Sequence, residues 1–307
     1  MTRDVWEGPE WQKHCVALLS MKHDTNIQFV PDRTDGDHGI EAFRLDEGTV
    51  YQCYSPAEYF TTKSQTAAQK KKITDDLRKL YEYRQGLMDM LGVGYRIERW
   101  VLLTPYIDDK ELVKHARKKS DEVRTGADRP DWWTNTFRVA VFTDEDHFPE
   151  ELRRLYASAD ELTFRTPIPD AIDEAESTLQ KFDERLGEKL IKSPTLAADT
   201  DRMTRIKNSL LLEYVIGQVR VDELERKYSE VWQKVNRRSK SYLRAYQRDF
   251  ANGPSMGDPS RRLADGLADK LRQDAPALPS DVCDELAWHF VASWWIQCPL
   301  SYSASAS

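Results

Sequence analysis

Two short apolar segments joined by a tight polar turn constrain this chain more than any other feature. Residues 40–45 and residues 49–54 form the arms, and Asp46, Glu47 and Gly48 lie between them. A turn of this length and composition is typical of a β-hairpin, so we expect two antiparallel strands here. The chain must therefore build a sheet around residues 40–54 and cover it with other elements.

Helical and strand patterns alternate on both sides of this hairpin. Apolar spacing predicts strands at residues 26–31, 97–104 and 137–143, and helices at residues 9–22, 65–91, 108–124 and 150–158. A helix, then a strand and a hairpin, then alternating helix and strand favours an α/β core, in which helices cover the faces of the sheet. We expect this core to occupy residues 1–165.

The second half of the chain has a different character. Residues 163–170 contain Pro167 and Pro169 and are interpreted as a linker. Helical spacing then predicts helices at residues 171–191, 202–216, 221–248, 259–273 and 281–297. Gly217 is expected to separate the second of these helices from the third, in a weak helix-turn-helix pattern. The prediction is an all-α C-terminal domain over residues 166–307.

Composition narrows the class of protein. Hydrophobic residues are 40% and charged residues 32% of the 307 residues, which is enough to bury a core in each of two domains. The formal net charge of -7 argues against a generally cationic coat, so any contact with phosphates must come from local basic patches. We expect a cytoplasmic protein without a membrane partner, because no signal segment opens the chain and no apolar run could span a bilayer. The four cysteines are far apart without a Cys-x-x-Cys pair, so reduced thiols and no structural zinc are expected.

Polar residues around the hairpin suggest a catalytic site. Residues 35–41 read Asp-Gly-Asp-His-Gly-Ile-Glu and precede the first arm, and Gln52 lies on the second arm. Hydrolysis of a phosphodiester with divalent cations needs oxygen ligands that converge, and an acid on one arm opposite an oxygen donor on the other supplies them. Glu41 and Gln52 are the expected pair, and Tyr54 should share the face of Gln52. The alternatives are an ordinary polar turn without a ligand and a Gln52 that faces solvent.

This segment resembles the PD-(D/E)XK superfamily of restriction-endonuclease-like nucleases, and within it the Mrr-like enzymes. Their core carries a Gly-Asp-x-Gly-(Ile/Val)-Asp run followed by Gln-x-Lys, and the residues that match here are Gly36, Asp37, Gly39, Ile40, Glu41 and Gln52. The resemblance extends from the first helix to Thr143. It implies a restriction-endonuclease-like core with a mixed sheet flanked by helices, Mg²⁺ or Mn²⁺ as cofactor, and DNA as substrate. It also implies metal ligation by Glu41 and Gln52, with Asp37 as a supporting acid and Glu10 as an acid of the first helix.

Two positions depart from the family pattern. Glu41 stands where aspartate is usual, and Tyr54 stands where the family has lysine. Tyrosine is neutral at working pH and does not stabilise negative charge as an ammonium does. A lysine of the following helix is expected to replace it: Lys72, beside the apolar stripe, is preferred and Lys70 is the rival. Lys63 and Lys71 are candidates for contact with DNA, although a solvated helix face is the commoner role of such lysines.

A second basic segment lies in the C-terminal half. Arginine and lysine alternate there with Tyr242 and Tyr246 on a predicted helix, and the candidates for contact with DNA are Arg237, Arg238, Lys240 and Arg244. Binding to a nucleic-acid backbone is one interpretation. The other is an ordinary helix face whose cations pair with the preceding acids, which are Asp222, Glu223, Glu225 and Glu230.

The last predicted helix is apolar nearly all round, with Trp294 and Trp295 near its end. It is either part of the core or an interface with a partner.

A nuclease core followed by a helical domain is also similar to effectors of bacterial anti-phage systems, in which the helical part docks onto other subunits. The expected function is therefore a metal-dependent DNA endonuclease that partner proteins activate. The alternative is a catalytically degenerate subunit that binds DNA or scaffolds a defence complex, as the Tyr54 substitution would suggest. An RNase of the same fold is a third hypothesis.

Overall fold

The computed structural model describes residues 4–31, 38–56, 61–92, 94–126, 133–169, 177–192, 197–251 and 260–297. The chain divides into two compact units. One runs from Val5 to Leu155, and the other consists of Asp4 and the chain from Tyr156 onwards. Each unit has its own hydrophobic core.

The first unit contains five strands and six α-helices among its described residues. The first part of the chain forms α1 (Gly8–His23), β1 (Ile27–Phe29), β2 (Ala42–Arg44) and β3 (Thr49–Cys53). There follow α2 (Thr62–Glu82), α3 (Arg84–Leu91), β4 (Ile97–Leu103), α4 (Lys110–Thr125), β5 (Trp133–Phe142), α5 (Asp144–His147) and α6 (Pro149–Ala157). The predicted helix over residues 65–91 is thus two helices, because the backbone of Tyr83 leaves the helical conformation (φ -101°, ψ 24°).

The five strands form one mixed sheet in the order β1-β2-β3-β4-β5. β2 pairs antiparallel with both β1 and β3, and β3, β4 and β5 run parallel to one another. In the hairpin, Ala42 pairs with Tyr51 and Phe43 with Val50, so the next position along places Glu41 opposite Gln52. The predicted mixed sheet with flanking helices is confirmed.

The two faces of this sheet are covered by different helices. On one face, Val50 and Trp100 lie in a core with Ile73, Leu77 and Leu80, which are the apolar stripe of α2. Because successive strand residues point to opposite faces, Tyr51 and Cys53 face the other way. There Tyr51 contacts α1, since its hydroxyl lies 3.1 Å from Nε2 of His23.

The second unit is helical wherever it has regular structure among the described residues. Its long helices are α7 (Ser177–Leu190), α8 (Thr200–Lys227), α9 (Ser229–Ala251), α10 (Ser260–Asp274) and α11 (Ser280–Gln297). The predicted break at Gly217 is wrong, because α8 continues through it. A Cβ at this position would lie 2.0 Å from the Cβ of His289, so the glycine allows α11 to pack closely against α8. The break between helices falls at Tyr228 instead.

The apolar last helix belongs to the core. Trp295 is 1% exposed, and Leu286, Val291 and Ile296 are equally buried within the unit. The side chains that suggested an interface are therefore covered by the chain itself. None of the described helices is long and apolar enough to cross a bilayer.

Candidate active site

Glu41 and Gln52 meet across the hairpin, as the sequence predicted. Nε2 of Gln52 donates a hydrogen bond of 2.8 Å to Oε1 of Glu41. The backbone N–H of Cys53 donates a longer one of 3.3 Å to Oε2 of the same carboxylate. Gln52 is 1% exposed, whereas Glu41 is half-buried.

Tyr54 follows Gln52 by two residues and shares its face of the sheet. Its backbone N–H continues the ladder to the carbonyl of Leu103, so the chain is still extended there. The ring packs against the core under α2, and burial raises the pKa of its phenol. The hydroxyl therefore stays protonated and neutral, and it does not supply the positive charge that a lysine at this position would.

Lys72 brings a positive charge to this position from the neighbouring helix. Its Nζ lies 6.0 Å from the centroid of the Tyr54 ring, within the range of a cation–π contact. The same nitrogen lies 2.9 Å from Oδ2 of Asp76, one turn further along α2. Asp76 is 1% exposed, and its other oxygen lies 3.0 Å from Nζ of Lys79. A buried carboxylate thus holds the Lys72 ammonium beside Tyr54.

The orientation of α2 is fixed by a polar contact one turn before Lys72. The buried Gln69 donates from Nε2 to Oγ1 of Thr104, at 2.9 Å, and to the carbonyl of Tyr106, at 2.8 Å. Thr104 directly follows β4, next to the end of β3. These bonds anchor the first half of α2 at the edge of the sheet where Gln52 and Tyr54 lie.

The turn before Glu41 is packed against the same helix. Gly39 has a φ of +85°, and a Cβ there would lie 2.7 Å from the carbonyl oxygen of Asp76. Its own carbonyl accepts a hydrogen bond of 3.0 Å from Nε1 of Trp100. Only glycine combines this backbone conformation with this close approach. Asp76 therefore touches both the lysine and the loop that leads to Glu41.

The other predicted lysines lie elsewhere. Lys70 shares a helix face with Thr74, whose hydroxyl lies 3.1 Å from Nε2 of His115 in α4. Burial lowers the pKa of His115, and the charges of Lys119 and Lys70 add to the effect. Lys71 is 80% exposed, with Asp75 at 3.9 Å, and Lys63 is exposed in the first turn of α2. The structure thus separates the two catalytic candidates, because Lys72 contacts Tyr54 and Lys70 lies on the face of α2 that contacts α4.

Two predicted acids remain. Glu10 is exposed in the first turn of α1, which is held at the end of β4 because Nε1 of Trp11 donates to the carbonyl of Leu103 at 3.0 Å. Asp37 lies outside the described residues.

In the second unit, the predicted cations of α9 do not form one group. Arg238 binds Asp274 of α10, with 2.9 Å between Nη2 and Oδ1. The side chains that remain exposed are Arg237, Lys240 and Arg244.

The oxygen atoms of Glu41 and Gln52 are of the chemical type that Mg²⁺ and Mn²⁺ prefer as ligands. A carboxylate and a carboxamide oxygen are hard donors, and Mg²⁺ is commonly held by one or two carboxylates together with substrate phosphates. Among the described residues, no group of three or more His, Cys, Asp and Glu side chains is arranged to hold a metal ion. A metal here would therefore depend on Glu41 and Gln52 and on oxygens of the substrate.

Comparisons with protein-family models, with curated proteins and with solved structures find no match for this chain.

The residues that the sequence did not single out are Gln69, Thr104 and Lys79. Gln69 occupies the same stripe of α2 as Ile73 and Asp76, at helical spacing. A polar residue within an apolar stripe was the available signal, because such a residue is buried only where it has a hydrogen-bond partner.

Proposed function

We propose that the first unit is a metal-dependent nuclease that hydrolyses phosphodiester bonds of DNA. The observation that carries this proposal is the position of Lys72, whose ammonium reaches Tyr54 from α2 while Glu41 and Gln52 pair on the adjacent strands. The unit then has the functional groups of the PD-(D/E)XK pattern, with the lysine supplied by the helix instead of the strand.

In this mechanism Glu41 and Gln52 would hold Mg²⁺ or Mn²⁺ beside the scissile phosphate. When bound, such an ion would supply charge stabilisation and a more acidic water. The Lys72 ammonium donates hydrogen bonds to the attacking oxygen or to the phosphate, where negative charge develops. Asp76 keeps that ammonium in place, so little reorganisation is needed when the substrate arrives.

We further propose that the protein acts as an effector of bacterial anti-phage defence, in which the helical unit docks onto other subunits that activate the nuclease. This part rests on the similarity of domain organisation alone. Both units build separate cores, which is what a nuclease with a distinct docking module requires.

One observation favours a non-catalytic alternative. Both oxygens of Glu41 accept hydrogen bonds from within the chain, and Lys72 is bound to Asp76. A site whose groups already satisfy each other can serve a structural role, in a subunit that binds DNA or scaffolds a complex.

Cleavage of supercoiled plasmid by the purified protein tests the proposal, with Mg²⁺ or Mn²⁺, alone and with the proteins of neighbouring genes. The variants are Glu41→Ala, Lys72→Ala and Lys70→Ala, with Lys71→Ala as the matched control from the exposed face of the same helix. We expect cleavage to be lost in the first two variants and kept in the others. Cleavage of an RNA substrate alone would indicate an RNase. Absence of cleavage under every condition, with folding intact, would leave the scaffold alternative.

A further inference from the structure

Beyond Glu230 in its first turn, the exposed face of α9 carries charges of one sign. From Gln233 to Arg248, the exposed residues are Gln233, Lys234, Arg237, Lys240, Ser241, Arg244, Gln247 and Arg248. Five of these eight residues are cationic and none is acidic. They recur every three or four positions, so they lie along one side of the helix and form what we name the α9 stripe. At 1.5 Å per residue, the α9 stripe is about 21 Å long.

Of the four acids that the sequence offered as partners for these cations, two are engaged elsewhere, and the other two, Glu225 and Glu230, are exposed and precede the stripe. Asp222 accepts a hydrogen bond of 2.7 Å from Gln218, and Glu223 is buried and binds Lys227 at 2.7 Å. Among the described residues, the ion pairs of α9 involve Arg238 alone, which lies beside the stripe. Pairing with neighbouring acids, the ordinary explanation for a basic helix face, therefore applies at most to its start, where Glu230 precedes Lys234 by four positions.

The opposite face of α9 packs against the core of the unit. Val235 is buried, and the partly buried residues Trp232, Leu243 and Tyr246 pack against the core. The helix therefore has no apolar face left for a membrane, and a membrane-surface helix needs one. The α9 stripe also exposes no aromatic or aliphatic anchor, which protein interfaces usually provide at their centre.

We infer that the α9 stripe binds the phosphate backbone of duplex DNA without reading its sequence. Regularly spaced cations on a straight helix suit the regular charge of a duplex, which carries about one negative charge per 1.7 Å of axis. A single strand would require exposed rings for stacking of bases. The two tyrosines of the segment are only partly exposed, and a Cβ at Gly266 would lie 2.2 Å from the hydroxyl of Tyr242, so that ring is packed against α10. The choice of DNA as the ligand rests on the proposed function. The presence of a cationic surface on α9 does not depend on that function.

The test is the affinity for a fluorescein-labelled 20-base-pair duplex, measured by anisotropy over a range of salt concentrations. EDTA is present, so that no cleavage occurs. The variant is the triple substitution Arg237→Gln, Lys240→Gln and Arg244→Gln. The matched control is Arg202→Gln, Arg205→Gln and Arg261→Gln, which removes three exposed cations from α8 and α10 of the same unit and changes the net charge equally.

We expect the α9 triple variant to lose at least about tenfold in affinity at 0.1 M salt, and its salt slope to fall by roughly 2 to 3. The control should stay within about twofold of wild type, because DNA binding is local to the stripe. An unchanged affinity in the α9 variant, or an equal loss in both variants, would overturn the inference. So would binding of a single-stranded oligonucleotide or an RNA duplex with no binding of duplex DNA.

This outcome is independent of the nuclease proposal. If plasmid cleavage is absent but the α9 variant loses duplex binding, the nuclease proposal fails and the stripe stands. If Glu41→Ala abolishes cleavage but the α9 variant binds DNA normally, the nuclease proposal stands and the inference about the stripe fails. Circular dichroism and the urea midpoint of each variant should match wild type, since all six substituted side chains are exposed.

Discussion

The ammonium of Lys72 lies 6.0 Å from the ring of Tyr54, so a cation from one helix occupies the neighbourhood of a strand residue that is itself neutral. Asp76 holds this cation in place, because its almost completely buried carboxylate lies 2.9 Å from the ammonium. In the proposed site, a lysine of the helix thus supplies the charge that the PD-(D/E)XK pattern places on the strand, which is an exchange of the residue at one position in space.

This exchange predicts a rescue. Lys72→Ala should lower the rate of plasmid cleavage by about 10²- to 10³-fold, which is typical for the loss of one donor to a developing negative charge. Adding Tyr54→Lys to that variant should restore at least about tenfold of the lost rate, because the new ammonium enters the same space from the strand. Initial rates at saturating Mg²⁺ measure both effects. A double variant no faster than Lys72→Ala would contradict the exchange.

Asp76 should also contribute to stability. Asp76→Asn removes the charge that binds two partly exposed lysines, and we expect the free energy of unfolding to fall by about 1 to 3 kcal/mol. Asp75→Asn is the control, because Asp75 is 40% exposed in its side chain and its nearest cations lie at 3.8 and 3.9 Å. That change should stay within about 0.5 kcal/mol of wild type. Urea unfolding followed by circular dichroism measures both, and equal effects would show that burial of Asp76 does not matter.

The sequence predicted the pairing of Glu41 with Gln52 because a short turn leaves few possible registers for a hairpin. It also predicted the helical second half, where apolar spacing is regular. Lys72 could be preferred over Lys70 from its neighbours in the sequence, but only packing showed that Lys70 lies on the face of α2 that contacts α4. The direction of a long side chain depends on the elements around it.

Gly217 shows why sequence signals can mislead. Glycine is a common helix breaker, so a break was the natural prediction. The residue instead meets a packing requirement imposed by His289, which is 72 positions away in the sequence. Sequence spacing carries no information about such a contact. The same limit applies to the α9 stripe, because the sequence shows its charges but not which acids are used elsewhere.

Replacement of this glycine should therefore be costly in spite of helix propensity. In Gly217→Ala, the new methyl group would lie 2.0 Å from the Cβ of His289, and we expect a loss of about 1 to 3 kcal/mol in the free energy of unfolding. Gly187→Ala is the matched control, because Gly187 also lies inside a helix and nothing is within 4 Å of its added Cβ. It should stabilise the protein by about 0.5 to 1 kcal/mol. Thermal unfolding of the two variants should give shifts of opposite sign, and a gain from Gly217→Ala would disprove the close contact.

His147 should make the stability of the first unit depend on pH. Burial lowers the pKa of its imidazole to about 4, and the positive charges of Lys22, His23 and Arg99 add to the effect. In the unfolded chain the pKa is about 6.5, so the unfolded state binds the proton more tightly. The stabilisation is therefore complete above pH 6.5 and is lost as the pH falls towards 4.

His147→Phe should remove this part of the pH dependence. Nε2 of His147 is buried without a hydrogen-bond partner among the described residues, and the ring stacks on Phe142 with 4.9 Å between centroids. Phenylalanine keeps the stacking and leaves no polar atom to protonate. Urea unfolding should give similar free energies for variant and wild type at pH 7.5. At pH 5 the variant should be the more stable by about 1 kcal/mol, after allowance for screening at a half-buried site. Parallel curves for the two proteins between pH 7.5 and pH 5 would show that His147 does not titrate in this way.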